Sequence, residues 1–369
     1  MLLTHCFFLL MQELVSNYFA KSGKVLVKRL SDITSAIMQC GSANTSLISR
    51  QLSKINGNSF KTNDMAIYRL LHNKNFQIDD SFFRQHVNLI FDLLEQRQVI
   101  KKGSQIQINV DFTSHEDNFL ILSASVILND KAITLYFSMR KYPKKKNQIS
   151  QIKMEQAFVK GLRHILSKKY SYVIVADRGF GNDRFATLCT ENNFDYVLRL
   201  NSNLSLKRNN KKINLKTLKQ DEVFTAQVIN WKKDVNITIC SKGKKIWYLM
   251  GSNKFIKSKP AYERRFKIEK NYQDCKSSGY DIENNKIRKY DRFKRLLYCV
   301  LLAHTLTSII GHVISTSGTA IKKNSYEREK MDIYLILACS KLDILLSPST
   351  IKNPLLYFTK QSHLHNYVG

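Results

Sequence analysis

The sequence predicts an α/β fold: an all-α N-terminal part, then a core of strands and helices in alternation. Three observations predict it. Apolar residues recur at helical spacing through about the first hundred residues. From Gln105 the period changes to two, as in a half-buried strand. Two apolar runs each lead directly into an aspartate, Asp111 and Asp177.

In the N-terminal part, Leu26, Leu30, Ile33, Ile37 and Met38 mark a helix that ends at Gly41. Asn44-Thr45 caps a helix through Leu52, and Ile55-Asn56-Gly57-Asn58 is a turn. A helix starting at Thr62-Asn63-Asp64 follows, with Met65, Ile67, Tyr68, Leu70 and Leu71. The pair has the form of a helix-turn-helix, with Arg50, Lys54, Lys61 and Arg69 as basic side chains. Phe82 to Gln98 reads as a further helix.

Lys101-Lys102-Gly103-Ser104 closes the helical region. Ile106, Ile108 and Val110 then alternate with Gln105, Gln107 and Asn109, and the strand is expected to end at Asp111. Phe119 to Leu128 and Ile133 to Met139 read as strands joined by a turn at Asn129-Asp130. A basic loop, Tyr142-Pro143-Lys144-Lys145-Lys146, precedes a helix from Gln151 to Lys168. Tyr172 to Ala176 is a buried-type strand ending on Asp177, Asp183 to Asn192 a helix, and Tyr196 to Leu200 a strand. Residues 201 to 244 turn Asn- and Lys-rich and then β-prone, which marks a small β insertion. Ile246 to Met250 returns to the core, and a long helix is expected from Asp291 to about Ser315.

Between these last two lies Tyr262 to Lys276, without Gly or Pro and read as a helix. At about 100° per residue, Tyr262, Arg265, Glu269 and Lys276 fall within roughly 60° of one another. One face thus presents a phenol, a guanidinium, a carboxylate and an ammonium. A carboxylate suits Mg²⁺, and the other three suit phosphate oxygens. A solvated amphipathic helix has the same pattern, so the two aspartates upstream matter.

The spacing Y-x-x-R-x-x-x-E-x-x-x-x-x-x-K resembles the signature of IS-four-type DDE transposases, and the text from Arg265 to Tyr280 resembles the Tn-ten branch. Asp177 lies in Asp-Arg-Gly-Phe, which is similar to a recurrent motif of that family. The resemblance spans about Leu26 to Val313. It implies an RNase H-like catalytic domain, in keeping with the order three strands, helix, strand, helix, strand. It implies Asp111, Asp177 and Glu269 as the catalytic and metal-holding acids, with two Mg²⁺ ions, or Mn²⁺ in their place. Two such ions can activate an attacking oxygen and stabilise a leaving one. Tyr262, Arg265 and Lys276 would contact DNA phosphates. Trp247, in Lys245-Ile-Trp-Tyr-Leu-Met, would stack on a flipped base.

Rival residues exist on sequence alone. His115, Glu116 and Asp117 stand near Asp111, Asp183 stands near Asp177 as a helix-start residue, and Trp231 competes with Trp247. A strand Trp is also an ordinary core residue.

Composition agrees with a polyanionic partner: 59 Lys+Arg oppose 29 Asp+Glu, for a formal charge of +30. The seven cysteines form no C-x-x-C pair, which argues against a disulfide framework or zinc knuckle. No GxxxxGK loop points to ATP. Thr4 to Met11 is apolar but short and lacks a basic lead, so it does not read as a signal peptide. Leu296 to Ile314 carries His304, Thr305, Thr307, Ser308 and His312 and is expected to be a buried helix, not a membrane span.

The expected division is a helical DNA-binding domain over 1–100, a catalytic core over 101–200 and 246–320, a β insertion over 201–245, and a C-terminal segment over 321–369. The expected function is cut-and-paste transposition through a hairpin intermediate. The partners would be double-stranded DNA (terminal inverted repeats and target) and a second copy in the synaptic complex, in the bacterial cytoplasm at the nucleoid. Two other readings stay open: a catalytically silent, transposase-derived repressor, and an RNase H-like nuclease without strand transfer.

Overall fold

A computed structural model of the chain describes residues 2–316 apart from 97, 117, 129–130, 143–149, 219–221, 230, 232–233, 244, 253–256 and 269–279. The hairpin turn at 129–130, most of the basic loop, and the C-terminal segment lie outside the described residues. So do Glu269 and Lys276.

Two compact units interleave along the chain. One comprises residues 1–77, 88–99 and 295–369; the other comprises 78–87 and 100–294.

The first unit is helical: α1 (Leu2–Phe19), α2 (Lys24–Cys40), α3 (Thr45–Asn56), α4 (Phe60–His72), the later part of α5 (Asp80–Gln96) and most of a final helix, α9 (Tyr290–Thr316). α2 ends at Gly41, whose left-handed φ of 59° closes the helix as expected. The Asn44 side chain caps α3 by accepting from the Ser46 and Leu47 amides. α4 starts two residues earlier than the sequence suggests, because Ser59 caps it by accepting from Thr62 N–H. The three-residue turn Gly57-Asn58-Ser59 is fixed by buried Asn63, whose amide donates to Ser53 Oγ and the Asn58 carbonyl. Phe60, Met65 and Tyr68 on α4 are exposed, and Tyr68 stacks on His72 at 3.7 Å.

Among the described residues, Tyr290–His312 is long and apolar enough to cross a membrane, and 83% of its apolar 18-residue stretch is buried inside the protein. Its Arg295 donates to the Phe76 and Leu71 carbonyls, and its Tyr298 meets Phe19 and Phe76 edge-on. This is the burial of a core helix.

The second unit is built on one sheet of ten strands: β1 (Gln105–His115), β2 (Phe119–Leu128), β3 (Lys131–Lys141), β4 (Ser171–Ala176), β5 (Asp195–Arg199), β6 (Ser205–Arg208), β7 (Lys211–Asn214), β8 (Val223–Val228), β9 (Asp234–Lys242) and β10 (Lys245–Gly251). The spatial order is β3-β2-β1-β4-β5-β10-β9-β8-β6-β7. β1, β4 and β5 are parallel, and β2, β3 and β10 run antiparallel to their neighbours. The insertion, β6 to β9, extends the core sheet instead of forming a separate body, because β9 pairs with the whole length of β10.

Helices cover both faces of the core strands. α6 (Gln151–Ile165) crosses one face closely enough that a Cβ at Gly161 would strike the Tyr136 hydroxyl. α7 (Asp183–Glu191) packs beside β5. The opposite face is covered by α8 (Ser258–Arg265). Several boundaries differ from the sequence reading; α6, for one, ends at Ile165 instead of Lys168. β1 does not stop at Asp111; only its pairing with β4 stops there, while β2 continues to pair as far as His115↔Phe119. α8 begins at Ser258 because Pro260 falls in the first turn, where a missing N–H costs no helical bond. It ends at Arg265 with a turn at Phe266, so the helix expected to run unbroken from Tyr262 to Lys276 is interrupted after its first turn.

Candidate catalytic centre

Strand alternation builds the site. In the parallel β1–β4–β5 ladder, Val110 pairs with Ala176 and Ala176 with Leu198. The next residue on each strand is Asp111, Asp177 and Arg199. Adjacent strands lie about 4.8 Å apart, so three charged side chains form a row just past the point where the parallel ladder ends. Two residues back, Asn109, Val175 and Val197 form the row beneath on the same face.

α8 lies over this face. Its Ala261 and Tyr262 join Val173, Val175, Val197, Cys240, Trp247 and Leu249 in one buried cluster. Gln107 on β1 donates to the Ala261 carbonyl at 2.7 Å, which ties the helix backbone to the acid-bearing strand. Three residues apart on α8, Tyr262 and Arg265 reach the two aspartates. The Tyr262 hydroxyl donates to Asp177 Oδ1 at 2.8 Å, and Arg265 Nη1 donates to Asp111 Oδ2 at 3.0 Å. Arg199 Nη1 stands 3.6 Å from Asp177 Oδ1. Asp111 Oδ1 also accepts from the Phe112 amide.

The electrostatics follow from these contacts. Burial pushes the Asp177 carboxyl up, but the Arg178 backbone amide, the Tyr262 hydroxyl, Arg265 and Arg199 together bring it below its ordinary value. Burial raises Tyr262 to about 12; nearby Arg265 opposes the rise and Asp177 reinforces it. The phenol is therefore a neutral donor at physiological pH, facing an ionised carboxylate.

The Asp-Arg-Gly-Phe-Gly segment is braced from both sides. Phe180 stacks on Phe112 at 5.2 Å with the rings 5° from parallel, linking the segment after Asp177 to the residue after Asp111. A Cβ at Gly181 would lie 2.0 Å from the Arg199 carbonyl oxygen, so only glycine allows this approach.

The rivals fall into other roles. His115 is buried and stacks on Phe293 at 4.3 Å. Glu116 pairs with Arg288 at 2.7 Å, and Asp183 is the first residue of α7, capped by Asn182. Asp117 lies outside the described residues. Trp247 is 2% exposed, edge-on to Tyr262 at 5.1 Å and stacked on Phe266 at 5.4 Å. The structure thus places the indole in the core beneath α8, where it props Tyr262 and presents no face to a base. Trp231 sits in the turn after β8.

Tyr262 and Arg265 likewise touch carboxylates here, in place of the phosphates that the resemblance implies. Arg199, Gln107 and Asn109 were legible only as strand residues. The signal for Arg199 is its place two residues past Val197, in phase with Asp177; the strands had to be paired before that phase had meaning.

The donor set suits a divalent cation. Asp111 and Asp177 are side by side, with side chains 22% and 40% exposed, and carboxylate oxygens are the ligands that hard cations take. No group of three His, Cys, Asp or Glu side chains fit to hold a metal occurs among the described residues, which do not include Glu269.

Residues 135–306 match the family model described as "Transposase DDE domain". That region contains Asp177, Arg199, Tyr262 and Arg265; Asp111 precedes it. The matched stretch is similar to a transposase DDE domain and spans just under half of this chain. Among solved structures, an endonuclease V from Bacillus subtilis is similar at 11% identity, covering 50% of this chain and 81% of that one, with a TM-score of 0.26. A score that low carries no argument. No curated protein matches the chain.

Proposed function

We propose that this protein is a cut-and-paste DNA transposase of the IS-four type, Tn-ten-like branch. The observation that carries the reading is the placement of Asp111 and Asp177 directly after the last pair of the parallel β1–β4 ladder, roofed by the helix bearing Tyr262 and Arg265.

Asp111, Asp177 and Glu269 would hold Mg²⁺, as two ions with Mn²⁺ able to replace it. Bound there, the cation supplies activation of the attacking oxygen and charge stabilisation on the phosphate. The chain's own residues do the rest. Asp111 and Asp177 would supply the anionic oxygen ligands for the cation from one side of the site. Arg265 and Lys276 present permanent positive charge to phosphate oxygens, and the fork of Arg265 adds orientation. Tyr262, neutral up to about pH 12, donates a hydrogen bond without changing the charge of the site. The burial of α8 against the sheet excludes water from one side of the centre.

Water-driven nicking, a hairpin intermediate and strand transfer follow from the resemblance, as do the terminal-repeat substrate, the dimeric synapse and a place in the bacterial cytoplasm at the nucleoid. The N-terminal helical domain is the DNA-binding part in this reading, with α4 as its contacting helix. One face of α4 is exposed and carries Lys61 and Arg69, and the helix follows a three-residue turn.

The test is labelled repeat DNA taken from the flanks of the reading frame, incubated with protein in Mg²⁺, beside Asp177→Ala and a chelated control. Cleavage at the repeat end by the wild type alone supports the reading, and strand-transfer product with a target plasmid separates it from a simple nuclease. A gel shift without cleavage by either protein makes the chain a silent DNA-binding repressor.

A further inference from the structure

Tyr262 and Arg265 have two claimants. The proposed function gives them to DNA phosphate; the structure gives them to Asp177 and Asp111. A guanidinium matches carboxylate and phosphate equally well, since both offer paired oxygens to its fork. One side chain cannot serve both partners fully at once.

We propose that α8 is a latch coupling DNA binding to metal loading. In the free protein Arg265 and Tyr262 engage the oxygens that a divalent cation needs. A phosphodiester arriving at α8 draws the guanidinium and the phenolic hydroxyl to itself and releases the acids. This rests on the transposase reading and adds an order of events to it.

Three observations carry the coupling. The Arg265 side chain is 3% exposed and held at 3.0 Å from Asp111, so a fixed positive charge already stands where a second cation would be repelled. The helix itself is anchored: Gln107 holds the Ala261 carbonyl, and Tyr262 is fully buried in the cluster with Val173 and Val175. The exchange is thus one of side-chain tips, the long arm of Arg265 and the rotor of the Tyr262 hydroxyl. Finally, both latched bonds end on the two neighbouring acids, so one arriving anion releases both. Coupling of this kind is reciprocal: metal then raises DNA affinity by the same factor.

The experiment measures Mn²⁺ binding by electron paramagnetic resonance, with and without a short blunt duplex of mixed sequence. Wild type is compared with Arg265→Gln and Tyr262→Phe, and the double variant Asp111→Asn/Asp177→Asn subtracts Mn²⁺ held by the DNA alone. Thermal unfolding of each variant establishes that it is folded; Tyr262→Phe removes only a hydroxyl and keeps the test open if Arg265→Gln misfolds. Without DNA, Arg265→Gln is expected to bind Mn²⁺ about tenfold more tightly than wild type, with Tyr262→Phe shifted the same way by less. With DNA the wild type gains affinity and closes the gap. Equal gains in wild type and variant would overturn the latch, since simple ion accumulation near DNA would then explain both. Equal or weaker Mn²⁺ binding by the folded variants without DNA would overturn it too. Absence of site-bound Mn²⁺ in every protein at saturating DNA would instead overturn the transposase reading beneath it.

Discussion

Val110 pairs with Ala176 across the parallel β1–β4 ladder, and the residue after each is an aspartate. That register sets two carboxylates side by side without help from any loop. Asp177→Ala is expected to lower DNA cleavage about a thousandfold, which corresponds to roughly 4 kcal/mol of transition-state stabilisation. Asp111→Ala should match it. Single-turnover cleavage beside a thermal melt separates lost chemistry from lost fold.

The pH dependence has a definite sign. The folded Asp177 carboxyl sits below its ordinary 3.8, so its contribution to stability is present above that value and lost as pH falls through the depressed one. Asp177→Asn should therefore lower stability most in the neutral range, leave the most acidic end nearly unchanged, and so flatten the acid limb below about pH 4. Urea midpoints measured from pH 3 to pH 7 would check this; an unchanged acid limb would show that the tyrosine and arginine contacts do not hold the carboxylate.

Trp247 should behave as a core residue. Its fluorescence, isolated by Trp231→Phe, is expected to be blue-shifted and shielded from acrylamide in the free protein. Trp247→Ala should cost about 3–5 kcal/mol, the range for a large aromatic removed from a packed core. If the indole stacks on a base during reaction, DNA binding must expose it, and quenching would then rise on adding DNA.

Gly181→Ala should be destabilising although it adds one methyl group. The new Cβ would lie 2.0 Å from the Arg199 carbonyl oxygen, and backbone cannot swing aside as a side-chain tip can. A loss of about 1–3 kcal/mol is expected. Cleavage should fall beyond what the lost stability explains, since Asp177 and Arg199 flank the displaced segment.

On α4, Lys61→Ala and Arg69→Ala should each weaken DNA binding across all sequences and reduce the salt slope by about one. Slopes from fluorescence anisotropy at several salt concentrations would measure it. Slopes equal to wild type would remove α4 from the DNA-contacting surface.

Much of this was legible before any coordinates. Period-two alternation located β1, and Phe119–Leu128 was read to the residue, because both are set by local burial. The two aspartates were found because each follows an apolar strand. What the sequence could not carry is pairing. Arg199 looks like the end of any strand until β5 is aligned with β4. Gln107 looks like a solvent-side residue until α8 is laid over it. Trp247 has the same one-dimensional signature in a core and at an active site, and only the packing of Phe266 and Tyr262 against it decides. The fusion of the insertion with the core sheet was hidden for the same reason: β9 and β10 are each legible, but their shared ladder is not.

The two bonds that α8 makes to the acids also set when the centre can exist at all. Arg265 meets Asp111 across 154 positions of chain, and Tyr262 meets Asp177 across 85. Contacts of such separation form late, after the long loop between them has been closed. During synthesis both aspartates leave the ribosome well before α8 does. A nascent or prematurely terminated chain therefore carries the acids without the helix that organises them, and the site is complete only once α8 has been made.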